Sequence, residues 1–167
     1  IKTIRDTGTI YSGSAFDWTS PNGAYEQGSY LQGTSSSNIT VGYEANQNGW
    51  EYVAYLFAHN DGDGGFGPNS DQDIIKCGSV SYNGGATVNL GWEPQWVLVK
   101  PSTREGNWIL NDDKRGMPAS GRGPRLDADN GNQELANAGV VNPNPYGFTV
   151  PSGIYDPADL IYVAIRG

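Results

Sequence analysis

Four Asn-Gly pairs, at 22–23, 48–49, 83–84 and 130–131, break the chain into short runs. Asn-Gly tolerates the positive φ angles of tight turns, so each pair marks a place where the backbone reverses or bends sharply. Between the breaks lie apolar stretches rich in Val, Ile, Tyr and Trp, the residues that pack well on a pleated surface. Strands are predicted over 9–11, 39–43, 51–57, 73–82, 86–90, 95–101, 107–111, 147–150 and 160–165. No long window holds a 3.6-residue period, and the best helical stretch, 132–138, is worth one or two turns. Gly 24 and Pro 10 together make about a fifth of the 167 residues, which excludes a coiled coil or helical bundle. Aromatic residues at 11% exclude a disordered chain. The expected class is all-β: an antiparallel β-sandwich, jelly-roll-like or a partly closed barrel, with short turns and little helix.

The run 91–100 is the most informative strand. Pro94 serves its entry turn, since proline cannot donate to a central ladder. Beyond it, Trp96 and Leu98 share one face and Val97 and Val99 the other. Both faces are apolar, which predicts a central strand covered on both sides. The expected structural core is Trp96, Leu98, Val99 and Trp108, with Tyr162, Val163 and Ile165 from a closing strand. Trp18, Tyr25, Tyr30 and Trp92 sit among turn residues and are the expected glycan-facing or interface aromatics.

A weak repeat divides the chain. Residues 39–41 followed by 52–55 resemble 148–150 followed by 162–165, which reads as a duplicated terminal strand pair joined by a loop. On that reading 1–58 is the end of a preceding, diverged β module, 59–72 a Gly/Asp-rich junction loop and 73–167 a more complete module, although the two can pack as one unit. The first residue is Ile, so a piece of a longer or processed chain is expected.

Candidate chemistry is sparse. Asp61, Asp63, Asp71 and Asp73 are hard oxygen donors of the kind Ca²⁺ takes, but residue 72, the twelfth position from Asp61, is Gln rather than the Glu of an EF-hand. A solvated loop has the same composition, and no metal is assigned. The Gly62–Gly67 G-x-G-x-x-G is followed by Pro68 instead of a helix, so no cofactor is assigned either. His59 is the only histidine and Cys77 the only cysteine, which leaves no zinc set, and no G-x-S-x-G elbow offers a nucleophile. Cys77 lies in a strand pattern as a small buried apolar group. Glu93, Asp112, Asp113, Asp127 and Asp129 are carboxylates that could pair for glycoside hydrolysis, but 112–115 reads most simply as a solvated turn. Asn38-Ile39-Thr40 fits a glycosylation sequon. No enzyme is expected. Ten basic residues scattered against eighteen acids, a net charge of −8, do not suit nucleic acid or an anionic membrane surface. No apolar run approaches the ~20 residues of a membrane helix.

One ordered set of motifs resembles a known family. Asp73–Gly78 comes first, then Leu90-Gly91-Trp92-Glu93-Pro94-Gln95-Trp96-Val97-Leu98-Val99-Lys100. Gly106-Asn107-Trp108, Arg115-Gly116, Gly147-Phe148 and the closing 161–166 follow. The series is similar to a module of structural, tail-fibre-like virion proteins of tailed bacteriophages, especially marine ones. The resemblance covers 51–166 and implies a component of the virion surface, a tail fibre, capsid fibre or decoration protein. It implies no catalytic residues. It implies a homo-oligomer, commonly a trimer, that contacts other virion proteins and mediates host attachment through a surface glycan. A lectin-like carbohydrate-binding module is the competing expectation.

Overall fold

The computed structural model describes residues 73–167 except 105 and 130, together with 31–34, 39–41 and the single positions 48, 49, 51 and 69. The strands predicted over 9–11 and most of 51–57 lie outside these residues. Near the start, β1 (Leu31–Thr34) pairs antiparallel with β2 (Ile39–Val41).

The main body is two antiparallel sheets. β3 (Ile75–Tyr82), β5 (Pro94–Pro101), β6 (Ile109–Asp112), β7 (Leu126–Asp127) and β10 (Ala158–Arg166) form one, in the order β3-β10-β5-β6-β7. β4 (Ala86–Asn89), β8 (Asn142–Asn144) and β9 (Gly147–Val150) form the other, in the order β4-β9-β8. The fold is an all-β sandwich that is not closed into a barrel. Among the described residues no helix forms, so none is long and apolar enough to cross a membrane.

Side-chain parity puts one face of each sheet into a shared core. Tyr82, Val97, Val99, Ile109, Leu160, Tyr162 and Ala164 face inward from the larger sheet, and Val88, Phe148 and Val150 meet them from the smaller one. Phe148 and Tyr162 bridge the two layers edge-to-face, their ring centres 5.4 Å apart. β3 pairs with β10 through Gly78↔Tyr162, and the Tyr162 ring lies where a side chain at Gly78 would go. Gly147 is fixed in the same way, because a Cβ there would strike the Val88 carbonyl across the β4–β9 pair.

The three prolines inside strands lie at strand ends or on a sheet edge, and Pro101 is the last residue of β5. Pro94 is the first residue of β5, at a register irregularity opposite Arg166, and Pro143 lies on the edge strand β8. Asn83-Gly84 does not close a hairpin. With Gly84 at φ 77° it carries the chain from the larger sheet to the smaller one.

The long irregular excursion between β6 and β8 is held by buried asparagines. Asn111 Nδ2 donates to the Pro124 carbonyl, and its Oδ1 accepts from Val140 N–H. Asn142 Nδ2 donates to the Pro118 and Gly121 carbonyls, both at 2.9 Å. The crossing from β9 to β10 is fastened by the Tyr82 hydroxyl, which donates to the Pro151 carbonyl and accepts from Ile154 N–H.

Two sequence expectations change here. Residues 132–138 are not helical. Leu135 makes a β-bridge with Arg125, and a turn at 136–137 uses the left-handed φ of 56° at Asn137. Tertiary anchoring of Leu135 outweighs a weak local helical preference. The repeated strings 148–150 and 162–165 do not pair with each other, since they belong to different sheets.

Candidate functional site

The second face of the larger sheet is apolar as well. Cys77, Trp108, Ile161 and Val163 are buried there, outside the cluster between the sheets, and Ile75, Trp96, Leu98, Leu110, Leu126 and Ile165 are half-buried. Of the expected core, Val99 and Tyr162 lie between the sheets, while Trp108 and Val163 are buried on this opposite face. Trp96, Leu98 and Ile165 are on it too, half-buried. The parity read from 96–99 thus separates two apolar layers.

At one end of this face the sheet surface sinks into a depression of about 490 Å³ that is open to solvent. Trp96, Leu110 and Ile165 line its apolar side, where Trp96 stands opposite both Ile165 and Asp112 in register. Its polar rim is the turn after β6: Asp112, Asp113, Lys114 and Arg115, with Gln95 beside them.

The rim is fixed by its own bonds. Asp112 Oδ1 accepts from Arg115 N–H, and its Oδ2 pairs with the Arg115 guanidinium. Arg115 Nε also reaches Glu134 at 3.2 Å. Met117 N–H donates to the Asp112 carbonyl, and Asp113 N–H to the Gln95 carbonyl, which ties the turn to β5. Lys114 pairs with Asp113 at 3.0 Å. Gln95 Nε2 donates to the Arg166 carbonyl. The turn at 112–115 is therefore a rigid edge. Its position beside Trp96 depends on the β5–β6 register, which sequence spacing does not reveal.

The remaining carboxylates have structural partners or lie apart. Asp127 is buried and pairs with Arg125 Nε at 3.0 Å, while Asn107 Nδ2 donates to its other oxygen at 2.9 Å. Tyr155 packs edge-on against Tyr82. Burial pushes its phenol well above the usual tyrosine range, and the nearby Arg125 opposes that only in part. Burial likewise pushes the Cys77 thiol up to about 11, so it is a poor nucleophile at neutral pH. Glu93 is exposed and Asp129 half-buried. Among the described residues no three His, Cys, Asp or Glu side chains group to hold a metal. Of the proposed calcium donors Asp73 is half-buried, and Asp61, Asp63 and Asp71 lie outside the described residues, as does His59.

Trp92 needs correction. The sequence pattern places it among the glycan-facing or interface aromatics, but it is buried in the core cluster, because the turn at Gly91, with φ 83°, directs it inward before β5 begins. Among the described residues its Nε1 finds no hydrogen-bond partner. Trp18, Tyr25 and Tyr30 lie outside the described residues. Sequence reasoning missed Tyr146, which is 70% exposed at the tip of the β8–β9 turn. Its signal was the Asn144-Pro145-Tyr146-Gly147 turn string, which lifts the third residue away from both sheets.

Fold and site together define an antiparallel β-sandwich that carries, among the described residues, a shallow depression beside Trp96. A family described as a domain of unknown function (DUF7483) matches residues 9–151, and the chain belongs to that family. Neither a curated protein nor a solved structure matches it.

Proposed function

We propose that the chain is a structural module of a bacteriophage virion surface, a fibre or decoration component that assembles as a homo-oligomer. One observation carries this reading: most residues of the phage-like motifs build the larger sheet, and Gly147-Phe148 lies on β9 of the sheet that faces it. Trp96–Lys100 lie on β5, Trp108 leads into β6, and 161–166 lie on β10 between β3 and β5. They supply cohesion, and the reading is non-enzymatic.

Light scattering on the full chain should give three times the chain mass, and a strict monomer at every concentration would refute the assembly. Mass spectrometry of purified virions should find its peptides. Their presence in infected cells but absence from particles would refute the virion assignment.

The depression beside Trp96 favours a second reading, a carbohydrate-binding module, because it joins an aromatic surface to fixed polar groups.

A further inference from the structure

We infer that the depression beside Trp96 is a binding site for a neutral hexopyranose unit of a glycan, an inference that rests on the carbohydrate-binding reading. Its volume lies within the ~300–1,000 Å³ of small-molecule clefts. Trp96, Leu110 and Ile165 offer an apolar surface to the C–H face of a sugar ring. The rim offers carboxylate acceptors and guanidinium donors to the hydroxyls, as charge-assisted hydrogen bonds. These groups are already oriented: backbone N–H groups and the Arg115–Asp112 and Arg115–Glu134 pairs hold them, so ordering them on binding costs little.

The charge pattern selects the class of sugar. Lys114 is paired with Asp113, and Arg115 is shared between Asp112 and Glu134. Two cations thus face three carboxylates, in a chain whose net charge is −8. A uronate, sialate or sulfated sugar would displace an existing ion pair and meet a negative field. A neutral ring needs neither. The site is shallow and open, so a single contact is weak, and repetition in an oligomer would supply avidity.

The test is a glycan array covering neutral hexoses, amino sugars, uronates, sialosides and sulfated sugars, probed with the full chain. It is followed by NMR titration of the best neutral hit, watching the five tryptophan indole N–H signals. Binding of neutral hexosides that shifts the Trp96 signal ahead of those of Trp92 and Trp108 is the expected result. Trp96→Ala should weaken that binding at least ~10-fold, a loss of about 1.4 kcal/mol. If Trp96→Ala does not fold, the wild-type indole shifts decide alone. Binding of only acidic sugars with the Trp96 signal moving would overturn the neutral class and leave the carbohydrate-binding reading standing. Binding that leaves Trp96 unmoved would overturn the site and leave the carbohydrate-binding reading standing, and no binding across the array would overturn both.

Discussion

Adding one methyl group at Gly78 should destabilise the sandwich through a single neighbour. An ideal Cβ at this position lies 2.6 Å from the Tyr162 hydroxyl oxygen and 2.8 Å from Cζ, closer than non-bonded atoms allow. Tyr162 has little room to retreat, since its residue is buried and its ring stacks edge-to-face on Phe148. Overpacking of this kind costs about 1–3 kcal/mol. Gly→Ala returns ~0.4–1 kcal/mol by restricting the unfolded chain, because Gly78 does not use a left-handed φ. The net expectation for Gly78→Ala is a loss of roughly 0.5–2 kcal/mol. With a urea m-value of about 1–3 kcal/mol/M, the unfolding midpoint should fall by several tenths of a molar unit or more, at unchanged slope. In a Tyr162→Val background the methyl enters vacated space, so the same substitution should cost nothing. The coupling in the double-mutant cycle should be about 1–3 kcal/mol. A Gly78→Ala protein as stable as the parent, or a cost that persists without the ring, would refute the reasoning.

Gly147→Ala should be far worse, since the obstacle is the Val88 backbone carbonyl; a loss of more than ~3 kcal/mol is expected, read as lost soluble yield and a lowered Tm. Asn142→Ala strands the Pro118 and Gly121 carbonyls, but residues 119–121 are exposed and water can reach them, so the cost should be about 2 kcal/mol with faster proteolysis within 113–123. Cys77 should make stability fall with alkali. Its thiol is raised from 9.0 to about 11, so below pH 9 neither folded nor unfolded chain ionises it, and between 9 and 11 only the unfolded chain loses the proton. Wild type should therefore lose up to about 3 kcal/mol relative to Cys77→Ala across that window, by urea titration, and parallel pH profiles would contradict the burial.

The strands most legible in the sequence are those whose own residues demand burial. β3, β5 and β10 carry apolar runs, with Asn83-Gly84 ending β3 and Gly91-Trp92 preceding β5, so pattern locates all three within two residues. β7 and β8 are different. Leu126–Asp127 is too short for a period, and Asn142-Pro143-Asn144 has the composition of a turn. They are strands because a neighbouring edge accepts them, a tertiary cause that local propensity does not record. The depression was half legible. The sequence marks Trp96 as core and 112–115 as a solvated turn. Only the pairing Trp96↔Asp112 brings those two together.

The position of β10 has a consequence for synthesis on the ribosome. β3 and β5 are not neighbours; residues 158–166 fill the gap between them. Until that segment emerges, both strands present unsatisfied edges to other nascent chains, and most of the sheet cannot assemble. Maturation of the larger sheet is thus gated by translation of a stretch some sixty residues beyond β5, which favours slow closure and a need for protection while the chain waits.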